Sequence, residues 1–286
     1  MSSVSFHKKR IEDCLRKNIQ INEREAQIEA EYILRFALKK PSSFFISNQK
    51  FKINKILEEF ISSILKKRIK REPLAYIFNE WDFYGETFYL DKNSLIPRQD
   101  TELLIDLVLK RYDKGSKLNI LDLGTGSGVI GITLSKLYPN SMITISDISS
   151  KALNVANKNI KNHNVRNIRS LESDWFNSFR EKELFDLILT NPPYISKDDD
   201  HLNNLELGYE PSNALVASKN GFADIFKIID TSPRFLNSEG LLMIEHGHTQ
   251  GNRVKNYFQQ KSFNNIKQHR DINQKIRVTS ASKIKI

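Results

Sequence analysis

The chain has 286 residues, 39% of them hydrophobic, enough to bury one large core or two modest ones. No apolar run is long enough for a membrane span, the first residues lack the apolar stretch of a secretory leader, and the single cysteine, Cys14, excludes a disulfide framework. The formal net charge of +10 is spread along the chain rather than gathered into one arm, which reads as compositional bias and not as a dedicated nucleic-acid surface. A reducing cytoplasm fits these features.

The first 73 residues read as a helical domain. Asn22 followed by Glu25 forms a capping pair, and Ala26, Ala30, Ile33 and Ala37 then keep one helical face. Pro41-Ser42-Ser43 breaks that helix. A second amphipathic run carries Ile53, Ile56, Leu57, Phe60, Ile61, Ile64 and Leu65, with Lys66, Lys67, Arg68, Lys70 and Arg71 as a solvated basic end favoured by the helix dipole. Residues 74–97 alternate aromatic and polar side chains (Trp81, Phe83, Tyr84, Phe88, Tyr89) about Gly85, which predicts a β-hairpin connector. Ile96-Pro97-Arg98-Gln99-Asp100-Thr101-Glu102 leads into a helix with Leu103, Leu104, Leu107 and Val108 inward, which Asp100 or Thr101 can cap.

Residues 98–286 form the remaining domain, and from Lys117 strands and helices alternate. Strands are expected at 118–123, 142–146, 168–171, 184–190, 241–245, 266–269 and 276–279. Helices are expected at 129–137, 149–162, 222–235 and 250–260. This alternation predicts an α/β fold with a doubly wound, mainly parallel seven-stranded sheet.

Asp122-Leu123-Gly124-Thr125-Gly126-Ser127-Gly128 joins the first strand of that sheet to its helix. Its alternating glycines permit positive φ and let a ligand approach the backbone. The run also matches the dinucleotide pattern G-x-G-x-x-G through Gly131. Asp122 argues against that reading, because a carboxylate ending the strand repels a pyrophosphate. It suits a ligand that brings a cation, such as the amino acid end of S-adenosylmethionine. Asp147, ending the next strand, stands where an acid takes ribose hydroxyls.

Asn191-Pro192-Pro193-Tyr194 follows a buried strand. Two prolines stop the ladder, and Pro192 forces Asn191 into an extended conformation. The result is a stiff turn at the carboxyl end of a strand, where open α/β sheets bind ligands. The Asn191 Oδ1 and the Pro192 carbonyl can each accept one N–H of a planar –NH2 group, and Tyr194 can stack on its face. Glutamine, asparagine, adenine and cytosine all offer such a group.

With these stretches in place the chain resembles the release factor glutamine methyltransferases, a family of class I S-adenosylmethionine-dependent methyltransferases. The resemblance covers nearly the whole length. It includes Arg71–Ile77, Leu95–Glu102, the Asp122–Gly128 turn, Ser173-Asp174-Trp175-Phe176, Asn191–Tyr194, Tyr209-Glu210-Pro211 and Glu245-His246-Gly247. The Asn-Pro-Pro-Tyr box is shared with DNA adenine methyltransferases, whereas the Ile-Pro-Arg-x-Asp-Thr-Glu box is much more specific. The resemblance implies cofactor contacts at Gly124, Thr125, Gly126, Ser127, Gly128, Asp147, Trp175 and Asn191, with Trp175 as a wall for the adenine. It implies substrate contacts at Asn191, Pro192, Pro193 and Tyr194, of which Asn191, Pro192 and Tyr194 serve the chemistry. The implied partner is a class 1 peptide chain release factor, methylated on its Gly-Gly-Gln glutamine by a monomeric enzyme that needs no nucleic acid. A ribosomal-protein glutamine or a nucleic-acid base remains an alternative substrate.

Two departures mark the chain. Gln99 stands where the family pattern has proline, and Arg270-Asp271-Ile272-Asn273 lacks a nearby glycine. His246 and His248 form an H-x-H without a third ligand, and Asp198–Asp200 reads as a cap or a solvated run, so no metal is expected.

Overall fold

The structure, a computed structural model, describes residues 2–261 and 263–285. The chain divides into two compact units, Met1–Asn79 and Glu80–Ile286. The first contains α1 (Val4–Ile19), α2 (Glu23–Leu38), α3 (Ser42–Ser47), α4 (Lys55–Arg68) and α5 (Leu74–Phe78). Asn22 begins α2 with a complete capping box. Its Oδ1 accepts the Glu25 N–H at 2.9 Å, and Glu25 Oε2 accepts the Asn22 N–H at 3.3 Å. Ala26, Ala30, Ile33 and Ala37 are buried, as their spacing requires.

Three expectations for this unit need adjustment. Pro41 ends α2 but also begins α3, because proline is well placed at a helix start. The apolar stripe of α4 is narrower than its composition implies: Ile61, Ile64 and Leu65 are buried, while Ile56 is 77% and Phe60 42% exposed. Arg68 is not part of a solvated basic end. It is buried, and its guanidinium forks the Glu29 carboxylate at 2.8 and 2.7 Å, stapling α4 to α2.

The second unit opens with the hairpin β1 (Glu80–Phe83) and β2 (Glu86–Tyr89). Tyr84 and Gly85, both at positive φ, make its two-residue turn. The hairpin is shorter than the alternation suggested, since Leu74–Phe78 is helical and begins after Pro73. A 3-10 turn (Gln99–Thr101) leads into α6 (Glu102–Arg111). Then follow β3 (Asn119–Leu123), α7 (Val129–Leu137), β4 (Met142–Asp147), α8 (Ser150–Asn162), β5 (Ile168–Glu172) and β6 (Phe185–Thr190). Two one-turn pieces come next, α9 (Ser212–Leu215) and α10 (Ser218–Gly221), and after them α11 (Ala223–Thr231), β7 (Leu236–Glu245), α12 (Gly251–Gln259), β8 (Phe263–Arg270) and β9 (Ile276–Lys283). The helix expected over 222–235 stops at Thr231 because Pro233 turns the chain into a 3-10 piece. Strand β7 starts at Leu236, which pairs with Phe185 across a register shift.

The sheet has seven strands in the order β5-β4-β3-β6-β7-β9-β8, with β9 antiparallel to both its neighbours and the rest parallel. Alternate residues serve two cores. Ile120, Ile145, Leu187 and Met243 pack with Leu104, Val108 and Ile132 of α6 and α7. Leu121, Ile188, Leu242 and Ile244 pack with Ile225, Ile229, Val254 and Phe258 of α11 and α12. The sheet is therefore doubly wound. No helix among the described residues is long and apolar enough to cross a membrane.

Candidate active site

The chain runs from β3 outward to β4 and β5, then returns to place β6 on the other side of β3. The carboxyl ends of β3 and β6 thus border the point where the sheet order reverses, the usual ligand crevice of such sheets. Leu123 pairs with Thr190, and the Thr190 hydroxyl donates to the Leu123 carbonyl at 2.6 Å. The turns beginning at Gly124 and Asn191 therefore leave neighbouring strand ends.

In the first turn Gly124, Gly126 and Gly128 have φ of 75°, 56° and 86°. The N–H groups of Gly124 and Thr125 both donate to the Ser146 carbonyl at 2.8 Å. Asp122 is fully buried. Its Oδ2 accepts the Thr125 hydroxyl at 2.5 Å and the Gly131 N–H at 2.9 Å, while Oδ1 has no hydrogen-bond partner among the described residues. Burial pushes this carboxyl up to about 6, against the pull of Thr125 and Gly131. Thr125 and Ser127 are buried too, so the turn offers mainly its backbone. A Cβ on Gly126 would meet nothing within 4 Å, whereas one on Gly131 would lie 2.3 Å from Ile145 Cγ2. Gly126 faces open space, and Gly131 lets α7 press onto the sheet.

Asp147 ends β4 beside this turn. Its Oδ2 accepts the Gly126 N–H and its Oδ1 the Ser149 N–H, each at 2.9 Å. A carboxylate has about four acceptor positions, so both oxygens keep capacity for hydroxyl donors. Burial raises its pKa, against these backbone bonds. Trp175 adopts φ of 50°, and its ring edge would lie 3.2 Å from a Cβ on Gly124. Its Nε1–H donates to Asp224 Oδ1 of α11 at 3.1 Å. The glycine turn, Asp147 and Trp175 together make an open cradle, a hydroxyl acceptor and a flat apolar wall. That set fits a nucleoside cofactor.

In the second turn Asn191 is partly buried, and its Nδ2 donates to the Thr101 hydroxyl oxygen at 3.1 Å. Pro192 is buried and Pro193 partly so. The Tyr194 hydroxyl donates to Glu245 Oε1 at 3.4 Å, and burial followed by the Glu245 charge raises the tyrosine pKa. Glu245 is buried at the end of β7, and desolvation pushes its carboxyl up to about 7. The Tyr194 carbonyl accepts from Gln250 Nε2 at 3.0 Å, and a Cβ on Gly221 would sit 2.1 Å from that oxygen. Ile195 then donates its N–H to the Leu215 carbonyl and accepts the Ala217 N–H, each at 3.0 Å, in a parallel bridge with Val216.

The segment that leads into α6 is anchored residue by residue. Arg98 donates to Glu210 Oε1 at 2.5 Å, and Glu210 Oε2 accepts the Ile96 N–H at 3.0 Å. Asp100 pairs with Arg277 of β9 at 3.0 Å. Glu102 Oε1 accepts the Tyr84 N–H of the hairpin turn at 2.8 Å. Thr101 does not cap α6: its backbone is already helical and its hydroxyl serves Asn191 instead. Gln99 occupies the first position of the 3-10 turn, where a proline fits equally because that N–H has no helical acceptor. At the β8–β9 loop Gln274 takes φ of 61°, and Asp271 Oδ1 accepts the Asn273 and Lys275 N–H groups, so the turn closes without a glycine.

Thr101, Gln250 and Gly221 escaped the sequence reading. Gly221 had a signal, as Asn220-Gly221 is a turn dipeptide. Thr101 and Gln250 act over 90 and 56 positions respectively and had none. His246 is buried between the Thr279 hydroxyl at 2.8 Å and the Gly247 carbonyl at 3.0 Å. Asp199 caps the 3-10 piece Asp200–Asn203.

A family model described as the methyltransferase small domain matches residues 99–207, and one described as the PrmC N-terminal domain matches residues 10–78. The release factor glutamine methyltransferase of Aliivibrio fischeri is 32% identical over 94% of this chain and 96% of its own length. The chain belongs to the release factor glutamine methyltransferase family. The bifunctional methyltransferase of Rickettsia bellii is 34% identical over 91% of this chain, which spans about half (52%) of that relative. A methyltransferase structure from Pyrococcus furiosus shares the fold, with a TM-score of 0.53 at 15% identity over 79% of this chain and 98% of that one. The two family models meet this chain on either side of the hairpin, and the Asn191–Tyr194 turn lies within the methyltransferase small domain match.

Proposed function

We propose that this chain transfers a methyl group from S-adenosylmethionine to the side-chain amide nitrogen of a glutamine, that of the Gly-Gly-Gln motif in a class 1 peptide chain release factor. The observation that carries the reading is the pairing of Leu123 with Thr190, which sets an open glycine cradle beside an amide-bearing Pro-Pro turn. S-adenosylmethionine supplies a methyl group already activated by its sulfonium. Gly124 to Gly128 would receive it, Asp147 would accept its ribose hydroxyls, and Trp175 would wall its adenine. Asp122, fully buried, would act by holding the turn and lending it negative charge.

A carboxamide nitrogen is a weak nucleophile because its lone pair is delocalised into the carbonyl. The protein therefore has mainly to aim it. The Asn191 Oδ1 and the Pro192 carbonyl each accept one N–H of the substrate, which turns the nitrogen toward the methyl donor. Such positioning can supply about 7–11 kcal/mol of the barrier. The same two acceptors stabilise the positive charge that develops on nitrogen. Asn191 is neutral and takes no proton, so the proton passes to water after transfer. Pro193 stiffens the turn, and the Tyr194 ring, tethered through its hydroxyl to Glu245, covers the amide face.

None of the residues placed at this site lies in the unit Met1–Asn79, and that unit is assigned to docking of the protein substrate. The enzyme acts in the cytoplasm as a monomer and without nucleic acid. The test is methyl incorporation from labelled cofactor into a purified release factor, a ribosomal protein and DNA, assayed side by side. Incorporation into the release factor alone supports the reading, and incorporation only into either of the others contradicts it.

A further inference from the structure

The amide of Asn191 is useful only one way round. With Oδ1 outward it accepts from a substrate –NH2. With Nδ2 outward it repels that group and attracts the substrate carbonyl, so the wrong atom faces the methyl donor. A side-chain amide has nearly the same shape both ways, and something must choose.

The choice lies in a hydrogen bond from Asn191 to a buried hydroxyl that faces a buried carboxylate. Asn191 Nδ2 donates to Thr101 Oγ1 at 3.1 Å. Thr101 is 3% exposed, and its hydroxyl neighbours the carboxylate of Glu245, which is 1% exposed. Glu245 Oε1 accepts the Tyr194 hydroxyl at 3.4 Å, while its Oε2 is buried with no hydrogen-bond partner among the described residues. In its ionised form Glu245 only accepts. The Thr101 hydroxyl faces that carboxylate, and with its single hydrogen turned there the hydroxyl oxygen accepts from Asn191. An oxygen so committed is a poor donor toward an inward-facing Oδ1. The sense of the relay runs from Asn191 through Thr101 to Glu245, and it leaves Oδ1 as the atom turned outward.

We propose that Thr101 is a positioning residue for methyl transfer: braced on Glu245, its hydroxyl holds the Asn191 amide with the carbonyl oxygen toward the substrate. The proposal rests on the glutamine-amide reading above. It also gives the Ile-Pro-Arg-x-Asp-Thr-Glu segment a purpose. Arg98 and Asp100, tied to Glu210 and Arg277, and Glu102, tied to the hairpin turn, fix the backbone from which Thr101 reaches Asn191.

The experiment compares the full-length wild type with Thr101→Val, Thr101→Ala and Thr101→Ser. Initial rates are measured on a purified release factor, cofactor affinity by calorimetry and stability by thermal melting. Loss of the hydroxyl is expected to lower kcat about tenfold or more, with KM for the release factor and cofactor affinity within about twofold of wild type. Serine is expected to restore most of the rate. Valine keeps the shape of threonine, and alanine covers the case in which valine misfolds. Wild-type kcat in a folded valine or alanine variant would overturn the proposal, as would a serine variant as slow as valine. Failure of the wild type itself to methylate the release factor would instead count against the glutamine reading, so the two failures are distinct.

Discussion

Arg98 and Glu210, 112 positions apart, meet at 2.5 Å, and the same carboxylate takes the buried N–H of Ile96 at 3.0 Å. Glu210 is buried while the Arg98 side chain is 40% exposed, so the carboxylate is the costlier partner to remove. Glu210→Ala leaves the Ile96 N–H without an acceptor in a buried place. The expected loss is about 2 kcal/mol of stability. It is read as a lower urea midpoint at unchanged slope. Because Thr101 follows three residues after Arg98, kcat is expected to fall as well. A variant with wild-type midpoint and rate would show that Glu210 does not anchor this segment.

Asp147→Ala is expected to weaken binding of S-adenosylmethionine. The substitution removes the acceptor for ribose hydroxyls and releases the Gly126 and Ser149 N–H groups that Asp147 now holds. Charged hydrogen bonds are worth about 1.5–3 kcal/mol each. Calorimetric titration reads the change directly, and an unaltered dissociation constant would remove Asp147 from the cofactor site.

Stability is expected to depend on the ionisation of Glu245. Burial raises its carboxyl to about 7, and Asp100 adds to the rise, while Thr101, Arg277 and Tyr194 oppose it. The unfolded chain ionises this group near about 4.3. Between these values the folded state holds more protons, so the contribution is complete below the unfolded value and is lost as pH climbs through the folded one. The loss amounts to about 4 kcal/mol. Asp122, raised to about 6 chiefly by burial, adds a smaller loss of the same sign. Urea melts of wild type and Glu245→Gln across pH 4 to 8 are expected to show a shallower decline in the variant. Parallel curves would contradict the assignment.

The unit Glu80–Ile286 holds every residue placed at the site. A fragment of residues 80–286 is therefore expected to bind cofactor yet lose methylation of an intact release factor. Equal rates for fragment and full chain on that factor would refute a docking role for the first unit.

Much of this fold is legible in the sequence because local chemistry writes it there. The capping box of Asn22 and Glu25, the serine cap of α8 and the glycine turn after β3 each depend on residues within a few positions. The two site turns were legible for the same reason: prolines and glycines constrain the backbone wherever they stand. What was hidden is long-range. Arg68 looked like one of several basic side chains at a helix end until Glu29 was found opposite it, 39 positions away. Thr101 looked like a helix cap because Thr before an apolar run usually is one. Its partner, Asn191, follows β6, 90 positions further along the chain, and only the tertiary fold brings the two together.

The most direct test of the account is to incubate the full-length enzyme with labelled S-adenosylmethionine and a class 1 release factor, then locate the label by peptide mass spectrometry. The account predicts N5-methylglutamine at the Gly-Gly-Gln glutamine, with no label when that glutamine is replaced by alanine. Label on the Gln→Ala factor, or on a ribosomal protein or DNA with none on the release factor, would contradict it.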